Sequence, residues 1–274
     1  MITCCFSSGN LYQDDIMLIK NRNAAPCTEK GCTWPKNGRF VIIPVQISSS
    51  YSKLLFDLQI SQSLSNHNND LLLGFYILDQ SSKTTFKTRI MTGRDERFFI
   101  RNLLKEFVDR TCIRFVGKDN SHKNYLYIFP GSGCWSFVGM IKGRQPISLN
   151  KYGCLYTSVV QHEILHALGF HHEHSRSDRD QYILIKSENI RRGKERNFYK
   201  AKTINYNIPY DYNSVMQYRN KAFSKNGQPT IVAKDDPNRV LGSARSMTEN
   251  EYKRVNIAYQ CDLDKLQRKV LKGK

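Results

Sequence analysis

The stretch His162-Glu163-Ile164-Leu165-His166-Ala167-Leu168-Gly169-Phe170-His171-His172 carries the reading of this chain. On a helix, positions i and i+4 stand one turn apart on one face, so His162 and His166 can reach a single ion. Glu163 sits beside them, placed to take a proton from a water that the ion activates. Gly169, three residues after His166, can end the helix in a left-handed conformation and turn the chain back. The turn brings His172 round as a third ligand. Three neutral nitrogens with one position left for water is the open arrangement of catalytic zinc, whereas structural zinc sites are closed and typically use Cys. The bland alternative is a surface helix with solvated histidines. Ile164, Leu165 and Leu168 give this helix an apolar face, so it packs, and its histidine pair is not incidental.

The run continues Glu173-His174-Ser175-Arg176-Ser177-Asp178-Arg179-Asp180. With that extension, H-E-x-x-H-x-x-G-F-x-H-E-x-x-R-x-D-R-D, the sequence resembles the astacin family of zinc endopeptidases within the metzincins. The resemblance covers about residues 24–261 apart from one insertion, and it is nearest to the six-cysteine subgroup that includes fish hatching enzymes. It implies an α+β fold with a two-lobed catalytic domain: a small mixed sheet and two long helices above the cleft, and an irregular lower lobe. It implies one zinc ion on His162, His166 and His172, with Glu163 as general base and then acid. Ser214-Val215-Met216-Gln217-Tyr218 resembles the family's S-x-M-H-Y Met-turn. By that likeness Met216 lies under the zinc site, and Tyr218 swings off the metal to hydrogen-bond the oxyanion. Gln217 stands where the family usually has His. The resemblance also pairs Cys27 with Cys32, Cys112 with Cys261 and Cys134 with Cys154, and leaves Cys4 and Cys5 unassigned.

Near the amino end, Tyr12-Gln13-Asp14-Asp15-Ile16 is similar to the F-x-G-D-I segment of the astacin propeptide, with Tyr12 for Phe and Asp14 for Gly. The likeness makes Asp15 an inhibitory zinc ligand, and Arg22, before Asn23, reads as a cleavage point for an activating trypsin-like protease. The likeness sends the freed N-terminus towards Glu173. Residues 1–22 then read as a short propeptide-like segment, 23–261 as the metalloprotease domain and 262–274 as a basic, solvated tail too short for CUB or EGF modules. A disordered tail is the alternative for 1–22.

At 274 residues the chain can bury a proper core. No apolar run approaches the length of a membrane span. The opening Met1-Ile2-Thr3-Cys4-Cys5-Phe6 lacks the basic start and apolar core of a signal peptide, so for a secreted protein the true start is expected upstream. Eight cysteines argue for an oxidising, extracellular compartment. The net charge of +18, from 42 Lys+Arg against 24 Asp+Glu, admits nucleic acid, acidic matrix or acidic protein as partners. The basic residues are scattered and no nucleic-acid module is present, so a solvated basic surface and no nucleic-acid partner are expected. The expected partner is a protein or peptide substrate, and a monomer is expected. By the resemblance, residues 134–138 form the sheet edge beside the cleft, where substrate adds as an extended antiparallel strand.

Residues 39–47 read as a strand, with Pro44 tolerated at an edge or bulge. Residues 95–110 read as a helix with one stripe of Phe99, Ile100, Leu103, Leu104, Phe107 and Val108, and with Asp95 and Glu96 where the helix dipole favours acids. Residues 112–116, 125–129, 134–138 and 146–149 are short strands. Residues 53–93 are rich in Ser, Asn, Leu and Thr and carry no catalytic pattern. A structureless loop of that length is improbable inside a compact domain. It reads as an insertion without a catalytic role, a translated intron being one origin. Egg-envelope or extracellular-matrix proteins are the substrates the subgroup suggests. Two other classes are a non-catalytic zinc-binding scaffold, against which Glu163 argues, and a basic adhesion or nucleic-acid-binding protein.

Overall fold

In the computed structural model, residues 11–17, 33–51 and 94–261 are described. Cys4, Cys5, Cys27, Cys32, the Arg22–Asn23 junction, the 53–93 insertion and the 262–274 tail lie outside them. Strands β1 (Leu11–Tyr12) and β2 (Ile16–Met17) form a small antiparallel hairpin, followed by β3 (Lys36–Asn37) and β4 (Phe40–Ile47). Helix α1 (Arg94–Arg110) leads into β5 (Ile113–Gly117), β6 (Tyr125–Phe129), β7 (Cys134–Trp135) and β8 (Arg144–Leu149). Helix α2 (Thr157–Ala167) carries the histidine motif, and the lower part of the chain holds β9 (Ile183–Ile185), β10 (Ile231–Ala233) and α3 (Glu249–Ala258).

The main sheet runs β3-β4-β6-β8-β7, with β5 also paired to β4. The β4, β5, β6 and β8 pairings are parallel, and β7 joins β8 antiparallel as an edge. Every second side chain of a strand faces one side, and here Val41, Ile43, Leu126, Ile128, Ile147 and Leu149 are all fully buried. Ile100, Leu103, Leu104 and Phe107 of α1 and Val160, Ile164 and Leu165 of α2 join them in one apolar core. Trp34 closes the end of α2, donating from Nε1 to Ala167 O at 2.9 Å.

The edge-or-bulge expectation for Pro44 is corrected, because β4 has β5 on one side and β6 on the other. The missing N–H does little harm for a local reason. Val41 N and Val45 O both face β5, through Cys112 O and Lys118 N, so the even-numbered residues face the β6 side. Pairing with β6 begins only at Val45. Pro44 therefore points that way one residue before a donor is needed. The strand expected over 134–138 is also shorter, ending at Trp135; beyond it Ser136 bridges Ile16 of the amino-terminal hairpin.

The lower lobe is irregular, and its backbone groups find partners in other ways. Arg176 donates to Ile208 O at 3.0 Å and Pro209 O at 3.1 Å, and Arg179 to His174 O at 2.9 Å and to Phe198 O. Guanidinium forks thus satisfy carbonyls that a helix or sheet would have paired. A second apolar cluster of Ile183, Ile190, Phe198, Tyr210, Ile231, Ala233 and Leu241 fills this lobe. Disulfides join Cys112 to Cys261 and Cys134 to Cys154. The first ties the end of α1 to the end of α3, and the second ties the edge strand to the lead-in of α2.

Helix α2 stops where its metal motif requires it to. Gly169 takes φ +100°, its N–H bonds His166 O at 2.8 Å, and Phe170 N–H bonds Leu165 O at 3.0 Å. This double closure is the Schellman end of a helix, which favours glycine. A Cβ at Gly169 would meet only Gly139 Cα, at 3.9 Å, so a side chain there is opposed by backbone conformation and not by crowding. Gly169→Ala is expected to cost about 1–3 kcal/mol, read as a lower urea midpoint; an unchanged midpoint would contradict the assignment.

Candidate metal centre

His162 and His166 project from consecutive turns of α2, and the turn after Gly169 returns His172 to the same place. Asp15, from the turn of the amino-terminal hairpin, completes a group whose four ligand atoms all lie within 4.8 Å of one another. Asp15 Oδ2 is 3.2 Å from His162 Nε2 and 3.1 Å from His172 Nε2, and Asp15 Oδ1 is 3.8 Å from His166 Nε2.

The outward-facing nitrogen of each ring is fixed by a hydrogen bond. Nδ1–H of His162 donates to Val215 O at 2.8 Å, that of His166 to Phe170 O at 2.7 Å, and that of His172 to Gln13 Oε1 at 2.6 Å. A carbonyl can only accept, so each Nδ1 carries a proton, and in the neutral ring that leaves Nε2 as the lone pair turned inward for a metal. The His162 and His172 Nε2 atoms then face each other at 3.3 Å, and His166 Nε2 and Asp15 Oδ1 are buried without a hydrogen-bond partner. Ligands at ~2.0–2.1 Å from one zinc ion stand roughly 3 Å from each other, so the donor set fits zinc in type, tautomer and spacing.

Electrostatics lead to the same fit. Burial holds His166 well below the ordinary imidazole range, helped by the neighbouring rings, and lowers His172 as well. His162 is pushed up to about 9: burial opposes its charged form, but the Asp15 carboxylate outweighs burial. The pocket therefore favours positive charge between Asp15 and the rings, which a divalent cation supplies in place of a proton. Glu163 is 1% exposed with Oε2 unpartnered. Burial drives its carboxyl well above the ordinary range, with His162 pulling it back and Asp15 adding to the rise.

Met216 is buried in the main core, and its carbonyl accepts from Glu173 N at 2.9 Å. Gln217 is committed to its neighbours, accepting from Tyr210 OH and donating to Tyr218 O at 2.9 Å. Tyr218 lies in an aromatic box, stacked on His174 with centroids 4.0 Å apart and flanked by His172, Phe198 and Phe223. Its hydroxyl, kept neutral by burial, donates to Gln13 O.

The hairpin bearing Asp15 is held along its length. Ser136 N donates to Asp15 O at 2.9 Å and Met17 N to Ser136 O at 2.8 Å, in the parallel sense. Gln13 donates from N to Asn197 Oδ1 at 3.2 Å and from Nε2 to Asn197 O at 3.0 Å. Asp14, the residue standing in place of glycine, has φ +65°, a left-handed conformation that Asp tolerates better than most side chains. Glu173 takes Arg176, Asp211 N and both Nη atoms of Arg254. The sequence reading missed Gln13, Glu251 and Arg254. The Thr248-x-x-Glu251 spacing announces a helix cap, but nothing in the sequence announces the partners of the other two.

A sequence model of the Astacin peptidase family matches residues 80–260. Low choriolytic enzyme from Oryzias latipes is 34% identical over 258 residues, spanning 93% of this chain and 80% of that one. Zinc metalloproteinase nas-14 from Caenorhabditis elegans is 44% identical over 172 residues, spanning 61% of this chain and 34% of that one. Among solved structures, High choriolytic enzyme 1, a hatching enzyme zinc-protease from Oryzias latipes, superposes with a TM-score of 0.67 at 34% identity, covering 87% of this chain and 100% of that one. The chain belongs to the astacin family and is a zinc-dependent metalloendopeptidase.

Proposed function

We propose that this endopeptidase is a secreted zymogen, with zinc held by His162, His166 and His172 and blocked by Asp15. The observation that carries the reading is the meeting of three Nε2 lone pairs with a carboxylate that lies 147 residues before the nearest of them. A zinc ion held there would supply Lewis acidity, polarising a peptide carbonyl and lowering the pKa of water. Glu163 accepts the proton of the attacking water and returns it to the leaving amine, so the proton is carried by one buried carboxylate throughout. Tyr218 remains protonated and, once Gln13 has left, is free to donate its hydroxyl hydrogen to the oxyanion. Met216 anchors the floor beneath the rings.

The substrate lies extended along residues 134–138 by strand addition. The parallel pairing of Ile16 with Ser136 supports this use of the edge, with the blocking segment running in the opposite sense and presenting a carboxylate instead of a peptide carbonyl. Cleavage at Arg22 by a trypsin-like protease removes it. The disulfides Cys112–Cys261 and Cys134–Cys154 support an extracellular location, since such bonds persist in oxidising compartments; Cys27 and Cys32 are proposed as a third. Relatives named for choriolysis and hatching support egg-envelope or matrix proteins as substrates.

Two outcomes are expected. Peptide hydrolysis by the purified chain is low until trypsin treatment, is abolished by a chelator, and in Asp15→Ala no longer waits for trypsin; an uncleaved Asp15→Ala protein as latent as the parent would defeat the blocking role. Glu163→Gln keeps its zinc, measured by elemental analysis, and loses about 10²–10⁴-fold in turnover. Zinc-loaded Glu163→Gln at parental rate would remove Glu163 from the chemistry.

A further inference from the structure

A buried carboxyl group and a buried guanidinium on α3 reach the loops that carry the metal site. Glu251 and Arg254 are three residues apart on one helix face, 2% and 7% exposed. Glu251 Oε2 caps its own helix by accepting from Thr248 N at 2.7 Å. Its Oε1 accepts from Ser214 Oγ at 2.7 Å and Val215 N at 3.0 Å. Val215 is the residue whose carbonyl fixes the tautomer of His162, and Ser214 Oγ passes the contact on by accepting from Met216 N at 2.9 Å. Arg254 grips Glu173 with both prongs, Nη1 to Oε2 at 2.6 Å and Nη2 to Oε1 at 3.1 Å. Glu173 follows His172 directly in the chain, and its N–H donates to Met216 O. The two loops flanking the rings are thus tied to each other and to one helix.

We propose that Glu251 and Arg254 are positioning residues of the metal centre, setting the orientation of His162 and His172 through Val215 and Glu173. Burying a carboxyl group and a guanidinium is costly (burial pushes the Glu251 carboxyl up to about 7), and well-packed apolar side chains of the same volume would hold α3 in place at least as well. What apolar side chains cannot do is fix the direction of a peptide carbonyl at an imidazole Nδ1, or hold a carboxylate in two-pronged register. Partners of this outer kind fix ring orientation and ligand basicity. Three donors converge on Glu173 Oε1, from Arg176, Asp211 N and Arg254 Nη2, and Arg254 Nη1 alone reaches Oε2.

The inference rests on the three-histidine zinc reading, and the test separates the two. The full chain is loaded with cobalt(II) for visible spectra and with zinc for competition against a chelator, and kcat and KM are read after trypsin. Arg254→Met and Glu251→Gln are compared with Glu249→Gln, which removes only an exposed partner of Arg110 on the same helix. Arg254→Met and Glu251→Gln are expected to weaken zinc binding by about 10–100-fold, to shift the cobalt bands, and to lower kcat with little change in KM. Glu249→Gln leaves all three unchanged. If Arg254→Met does not fold, Arg254→Lys, which keeps the charge but not the fork, carries the same readouts and should lie between parent and Met. Folded variants with parental zinc affinity and parental cobalt bands would overturn the proposal. A parent whose metal affinity is indifferent to His162→Ala would instead overturn the zinc reading beneath it.

Discussion

Three imidazoles can share one ion only if each turns the same nitrogen inward, and the architecture depends on that constraint. Each ring gives its Nδ1 proton to an acceptor from a different part of the chain: Val215 in the lower lobe, Phe170 just past α2, and Gln13 in the amino-terminal hairpin. The helix alone could place two rings on one face. It could not choose their tautomers, and it could not bring His172 back. The Schellman end at Gly169 does the second, and carbonyl acceptors from three separate segments do the first.

The rest of the fold holds those segments still. Helix α2 is seated in the main core through Val160, Ile164 and Leu165, so His162 and His166 stand on a rigid support. The lower lobe has little regular structure and uses arginine forks on its carbonyls, together with its own small apolar cluster. The disulfide between Cys112 and Cys261 crosses 149 residues of chain, and closing a loop of that length removes more unfolded-state freedom than a short one does. It fixes the end of α3, the helix whose Glu251 and Arg254 reach the loops beside the rings. Stability and metal geometry therefore meet on that helix.

Much of the site is legible in the sequence because its spacing is local. His162 and His166 follow helical periodicity, Gly169 sits where a helix must end in a left-handed residue, and the Arg176 and Arg179 pattern accompanies them within a few residues. Asp15 is legible only through a family-like segment, and the structure places it among the histidines. Gln13 and Arg254 are not legible, since their partners lie 159 and 81 residues away and no periodicity links them. Pro44 shows a different limit. A proline in a strand suggested an edge, yet β4 is interior and tolerates it because pairing with β6 starts one residue later. That offset between neighbouring strands is a property of the sheet, absent from the strand's own sequence.

The most direct measurement on the metal centre is X-ray absorption at the zinc edge of the intact, zinc-loaded chain. Three imidazole rings and one carboxylate give a first shell of nitrogen and oxygen at about 2.0–2.1 Å, with outer-ring scattering from three histidines and no sulfur. Sulfur at about 2.3 Å, or scattering from fewer than three rings, would contradict the centre described by His162, His166, His172 and Asp15.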